Sequence, residues 1–161
     1  MGLINLELAK RAGAATVTMV DLNSRRLETA VLLGCTHAVV SADEVNMPRG
    51  WDTVIDCTGV VAAIEDGLGR VGRGGTFLQF GVSAAQAVAR WSPYKIYNQE
   101  ITITGSMSVL HSFERAAELF AGGVLNADAM ISDRFALDDY PKALEQFKSG
   151  MGLKIQVTPT T

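Results

Sequence analysis

The sequence predicts an α/β fold, a parallel sheet covered by helices on both faces. Three observations carry that reading. Strand-length apolar runs alternate with segments of helical periodicity through all 161 residues. Gly13 and Gly34 close the first two helical segments. The runs "WDTVIDC" (51–57) and "TFLQFGV" (76–82) are rich in apolar and β-branched residues, as in strands buried on both faces.

In chain order, residues 2–12 read as an amphipathic helix with Leu3, Leu6 and the stem of Lys10 on one side. "TVTMV" (16–20) is a strand. The second helix takes Ser24 as its cap and Leu27, Ala30 and Val31 as its apolar stripe. "HAVV" (37–40) is a short strand, and 51–57 follows a polar, proline-containing stretch. A helix over 60–70 carries Val61, Ile64 and Leu68 inward. "GRGG" (72–75) reads as a turn into the strand 76–82. "QEITITG" (99–105) is a strand, and 112–121 a helix with Phe113, Ala116, Ala117 and Phe120 on one stripe. "ISDRFAL" (131–137) is extended. The helix 138–150 is capped by Asp138 or Asp139 and carries Pro141 in its first turn; Tyr140, Ala143, Leu144 and Phe147 face inward. "LKIQV" (153–157) is the last strand.

Composition narrows the function. Hydrophobic residues make up 48% and charged residues 19%, a balance that supports a packed core rather than a disordered chain. The net charge of -3 and the scatter of basic residues exclude a nucleic-acid-binding face. No apolar run reaches the roughly 18 residues of a membrane span, so no membrane partner is expected. Cys35 and Cys57 form neither a disulfide framework nor a CxxC pair. Two isolated thiols fit a reducing, cytoplasmic setting. His37 and His111 have no partner at a metal-ligand or acid–base spacing, and no Ser–His–Asp or Cys–His arrangement is legible.

Ligands of parallel sheets lie at the carboxyl ends of the strands. Four such ends here are Asp21, the "DCTG" turn (56–59), "FGV" (80–82) and "TGSMS" (104–108), all small, polar or glycine-rich. An acid after the second strand of a nucleotide-binding unit accepts hydrogen bonds from ribose hydroxyls and repels a 2′-phosphate. From the residues alone Asp21 has two readings of equal weight. It is a ribose ligand helped by Arg26, or it caps the following helix beside a solvated arginine.

Six stretches together resemble the cofactor domain of the medium-chain dehydrogenase/reductase family, the zinc-dependent alcohol, polyol and threonine dehydrogenases. They are "MGLINLELAKRAGA", "VTMVDLNSRRLETAVLLGCTHAVV", "WDTVIDCTGV", "VGRGGTFLQFGV", "NQEITITGS" and "ISDRFALDDYPKALEQFKSG…GLKIQV". The resemblance covers nearly the whole chain in family order. It implies a Rossmann-like, doubly wound parallel sheet, one incomplete NAD-binding domain over 1–161. Asp21 would hold the NAD ribose with Arg26 beside it. Leu22, Cys57 and Thr58 would line the adenine and ribose cleft. Gly81 and Val82 would pass the nicotinamide ring. Ser106 and Ser108 lie where family backbone groups hold the carboxamide. Lys154 matches a basic position that touches the pyrophosphate, or is an ordinary edge-strand lysine.

The family's GxGxxG turn opens the first helix, and Gly2 matches its third glycine. The first, central strand, the first two glycines and a catalytic domain bearing the zinc ligands are not matched by any stretch here. The expectation is therefore that strands 16–20 and 51–57 lack their shared neighbour. NAD would bind weakly or not at all to this chain alone. Zinc would serve the complete enzyme without being bound here. No catalytic residue is assigned. The complete enzyme would move a hydride between an alcohol and NAD, with a second copy of the chain as a further partner. Two alternatives stand beside this: an inactive nucleotide-binding or interaction module, and a methyltransferase, which lacks its expected hairpin and glycine loop.

Overall fold

The computed structural model describes residues 1–107 and 111–159. They form seven α-helices and seven strands, and every strand pairing among them is parallel. The chain divides into two compact units, Met1–Val45 with Phe113–Thr161, and Asn46–Ser112.

The first unit opens with α1 (Gly2–Arg11), β1 (Thr18–Val20), α2 (Ser24–Leu32) and β2 (His37–Val39). β1 pairs with β2 and with no other described strand. After the second unit come α5 (Phe113–Ala121), the short α6 (Ala127–Met130), β6 (Ile131–Ala136), α7 (Tyr140–Ser149) and β7 (Lys154–Thr158), with β6 paired to β7. The core of this unit is Leu6, Ala30, Leu33 and Met130, with Leu3, Val17 and Met19 packed on it. Leu6 and Ala30 are essentially inaccessible. The C-terminus of α1 is bound to that of α2. Lys10 Nζ donates to the Leu33 carbonyl at 2.9 Å, satisfying an orphan carbonyl with a cation where the helix dipole favours one.

The second unit holds β3 (Trp51–Asp56), α3 (Val61–Gly69), β4 (Val71–Gln79), α4 (Pro93–Gln99) and β5 (Thr102–Gly105), in the sheet order β3-β4-β5. Its core is Ile64, Leu68, Val71, Phe77 and Ile101. α3 lies close on the sheet at Gly67, where a Cβ would stand 3.2 Å from Val54 Cγ1 and 3.3 Å from Phe77 Cε2.

The fold is the α/β parallel architecture expected. Each within its own unit, β1 and β3 pair with a single neighbour among the described strands. Several local expectations are corrected. Asn23, not Ser24, caps α2; its side chain accepts from the amides of Arg25 and Arg26. Val31 is 61% exposed, so the inward stripe of α2 runs through Ala30 and Leu33. Residues 72–75 are not a turn but part of β4, where the register with β3 slips between Trp51 and Thr53. In β3 only Asp56 is buried, because an edge strand covers less of its side chains than a central one. α4 occupies residues to which the sequence pattern assigns no element, apart from Gln99, the expected first residue of a strand that in fact begins at Thr102. Ser92 caps it by accepting from Lys95 N, and Pro93 is its first residue. α5 buries no residue, and in α7 only Ala143 is buried while Phe147 is 72% exposed.

Candidate functional site

In the first unit the carboxyl end of β1 leads into the loop that starts α2. Asp21 Oδ1 accepts from Asn23 N at 2.9 Å, an Asx-type turn that sets up the Asn23 cap. Asp21 Oδ2 lies 3.4 Å from Arg26 Nη1, and both side chains are partly exposed. Asp21 is thus not the cap of α2, which is Asn23; it holds the loop that leads into that cap and pairs with Arg26. One oxygen shapes the loop, and the other faces a weakly held arginine. Leu22, between Asp21 and the cap, is 90% exposed. The loop is fixed from outside as well. Asn23 Nδ2 donates to the Gly150 carbonyl at 3.4 Å and Arg25 Nη1 to the Met151 carbonyl at 3.3 Å.

Gly2 is the first residue of α1. A Cβ there would meet Met19 Cε at 3.1 Å, so the helix start lies close on β1. Lys154 Nζ stands 4.0 Å from Met1 Sδ, which brings a cation beside the N-terminus of α1. Amide donors and an ammonium group in one place are the elements of an anion-holding position.

In the second unit the carboxyl ends of β3, β4 and β5 are tied together. Asp56, 7% exposed, ends β3. Its Oδ1 accepts from Thr58 N at 3.0 Å and Thr58 Oγ1 at 2.7 Å. Its Oδ2 accepts from Gly59 N at 2.9 Å and Gln79 Nε2 at 2.7 Å. Gln79 Nε2 also donates to the Gly81 carbonyl at 2.7 Å, and Gly81 N donates to the Asp56 carbonyl at 2.7 Å. Ser83 Oγ donates to the Gly59 carbonyl at 2.6 Å, and Ser106 N to the Gln79 carbonyl at 3.1 Å. Burial raises the Asp56 carboxyl, but the Thr58 hydroxyl, the Gly59 and Thr58 amides and the Gln79 side chain together outweigh it. The carboxyl lies below its ordinary value.

Sequence reasoning singled out Cys57 and Thr58 in this turn and passed over Asp56 and Gln79. A signal was present: an acid within a run of apolar β-branched residues has to be compensated if it is buried. The Thr58 hydroxyl donates to Asp56 and accepts from Val60 N at 3.0 Å, so its donor is already committed. Cys57 is half-buried, and neither cysteine is in a disulfide. Burial pushes the Cys35 thiol up, against the opposing effects of a backbone hydrogen bond and Lys10.

Gly81 is glycine for a reason visible in the protein itself. A Cβ would fall 2.3 Å from Gly59 N and 2.6 Å from Asp56 Oδ2. The next residue, Val82, projects outward and is 91% exposed; Met107, just past the end of β5, is 89% exposed. Ser106 is exposed, and Ser108 lies outside the described residues. No three His, Cys, Asp or Glu side chains among the described residues come together as a metal site.

Residues 1–122 match the family described as zinc-binding dehydrogenase. The chain is 31% identical to D-arabinitol dehydrogenase 1 of Uromyces fabae, over 98% of this chain and 48% of that protein. It is 28% identical to sorbitol dehydrogenase of Bacillus subtilis (strain 168), over 99% of this chain and 48% of that protein. A Sinorhizobium meliloti 1021 structure, described as a zinc-binding dehydrogenase bound to NADP, superposes with a TM-score of 0.89 at 28% identity. That match covers 98% of this chain and 49% of the other. The chain thus spans about half the length of the curated relatives it matches. Sequence, strand order and superposition agree: the chain belongs to the zinc-binding dehydrogenase family.

Proposed function

We propose that this chain is the nicotinamide-dinucleotide-binding part of an NAD-dependent alcohol or polyol dehydrogenase. One observation carries the reading. Val82, Leu22 and Met107 are the most exposed large apolar side chains among the described residues, at 91%, 90% and 89%. Each sits at the carboxyl end of its own strand, β4, β1 and β5, where parallel sheets present ligands. Single exposed apolar residues are commonplace on proteins. Within each unit such a residue stands at a strand end, Leu22 beside the carboxylate of Asp21 in the first and Val82 beside Gly81 in the second, which suits a ligand with flat apolar rings and sugar hydroxyls.

The residues fit such a cofactor in kind. Asp21 Oδ2, held only by a 3.4 Å contact to Arg26, is available to accept from ribose hydroxyls. Gly2 and Lys154 offer amide and ammonium groups to a pyrophosphate. For the adenosine half, Leu22 offers apolar surface in the first unit, and Cys57 and Thr58 offer it in the second, Thr58 by its methyl rather than its committed hydroxyl. Gly81, Val82 and the backbone at Ser106 serve the nicotinamide half. The cofactor supplies hydride chemistry when bound; the chain binds and orients it. The described residues do not fit zinc, so no step through a metal is derived for this chain.

A carboxylate at Asp21 would repel a 2′-phosphate, which favours NAD over NADP for this chain. Arg26 reduces that repulsion without removing it. Calorimetric titration of the chain with both nucleotides tests the reading. The expected result is weak NAD binding, above the micromolar range, still weaker binding of NADP, and loss of the difference in Asp21→Ala. Binding of NADP as tight as that of NAD would overturn the cofactor assignment, and micromolar NAD affinity would overturn the expected weakness.

A further inference from the structure

We propose that Asp56 is a positioning residue which, through Gln79, fixes the Gly81–Val82 segment in the orientation from which it meets a ligand at the carboxyl ends of β3–β5. The proposal rests on the cofactor reading above for the identity of that ligand.

A turn after a strand needs only one acceptor to hold two amides; Asn or Ser supplies it without a buried charge. Asp56 meets that need with Oδ1 bonds to Thr58 and an Oδ2 bond to Gly59. The second oxygen then does something a turn does not require. It takes the Gln79 amide nitrogen at 2.7 Å, and the same nitrogen reaches the Gly81 carbonyl at 2.7 Å. The Gly81 amide returns to the Asp56 carbonyl, so the segment is bound on both sides of its peptide. Gly81 lies flush against the turn, with no room for a Cβ. Val82 follows the fixed Gly81 directly, and its side chain faces outward. A carboxylate stripped of most of its water costs free energy that this network of charge-assisted bonds offsets. The bonds therefore place an apolar side chain on the rim rather than only closing a loop.

The test uses the chain as it stands, with backbone amides followed by NMR. In Asp56→Asn, hydrogen exchange at Gly59 and Gly81 is expected to accelerate by at least about tenfold, the scale of a lost bond to a charged group. Phe77, in the β3–β4 ladder, should change less than about twofold, as a site outside the network. The Gly59 amide shift of the wild type should follow acid titration with a midpoint below 3.8, and that of Asp56→Asn should not. With NAD added at high concentration, Gly81 and Val82 signals should move in the wild type and not in the variant, while Asp21 and Leu22 signals move in both. If Asp56→Asn does not fold, Gln79→Ala leaves the carboxylate in place with its Thr58 and Gly59 bonds, removes the bridge from Asp56 Oδ2 to the Gly81 carbonyl, and is read by exchange at Gly81 and by the nucleotide shifts. Unchanged exchange at Gly81 overturns the clamp. Retained nucleotide shifts at Gly81 and Val82 in the variant overturn the positioning role. No nucleotide shift anywhere in the wild type, with the exchange results as expected, overturns the cofactor reading while the clamp stands.

Discussion

Asp56 Oδ2 and Gln79 Nε2 meet at 2.7 Å between adjacent strands, in the last residue pair of the β3–β4 ladder. Gln79→Leu keeps the bulk and removes the donor, leaving Oδ2 with Gly59 N alone. A hydrogen bond to a charged group contributes about 1.5–3 kcal/mol. The variant is expected to lose that much unfolding free energy, as read by urea denaturation of the chain.

The same carboxylate makes stability depend on acid. Its value in the folded chain lies below the ordinary 3.8, so the charged form is favoured by folding. The stabilisation is complete above the unfolded value and disappears as pH falls through the lower folded one. Urea midpoints of the wild type should fall between pH 5 and pH 3 more steeply than those of Asp56→Asn. Parallel curves would show that other groups dominate the acid limb.

Gly81→Ala sets a methyl group against Gly59 N, Thr58 N and the Asp56 carboxylate, at 2.3 to 2.7 Å. Two of these are backbone, so relief requires the turn or β4 to move. A loss of about 1–3 kcal/mol or more is expected, together with shifted amide signals across 56–59. Gly59→Ala should do at least as much, because its φ is +71° and a Cβ would stand 2.1 Å from the Val82 carbonyl.

Arg26→Ala separates stability from binding in the first unit. The Asp21 pair is partly exposed and 3.4 Å long, and pairs of that kind contribute about 0–1 kcal/mol. Thermal unfolding should scarcely change. Under the cofactor proposal, the preference for NAD over NADP should widen, since Asp21 loses its counter-charge. A narrowed preference would argue against Asp21 as the discriminating group.

Phe147→Ser tests the face of α7. A buried phenylalanine costs several kcal/mol to truncate, but at 72% exposure the change should stay within about 0.5 kcal/mol. Equilibrium unfolding distinguishes the two.

Element type was largely legible in the sequence, because alternating periodicities of helix and strand leave few assignments open. What periodicity supplies is which residues share a face. It does not say whether that face is covered, and this is why Tyr140, Leu144 and Phe147 are expected to face inward although they are exposed. The helix α4 has a start signal in Ser92-Pro93, but it spans only seven residues and buries none, so no apolar stripe marks it in the sequence. At α2 two adjacent residues could both cap, and the backbone chose Asn23. The strand-end residues Asp21, Gly81 and Val82 were legible because polar or glycine residues interrupt apolar runs there. The Asp56–Gln79 bond was not, since it joins residues 23 apart through a register that only the sheet defines.

The parallel pairings carry a kinetic consequence. Paired residues lie 19 to 26 positions apart in every strand pairing described, β1–β2, β3–β4, β4–β5 and β6–β7. Parallel strands are usually slow to form because their ends must first be brought together over a long loop. Here each pairing closes over about one intervening helix, and lengthening such a loop adds entropy only logarithmically. Each crossover is thus its own nucleation unit. Strand pairs should gain exchange protection early in refolding, ahead of contacts that join distant parts of the chain, such as Leu6 with Met130.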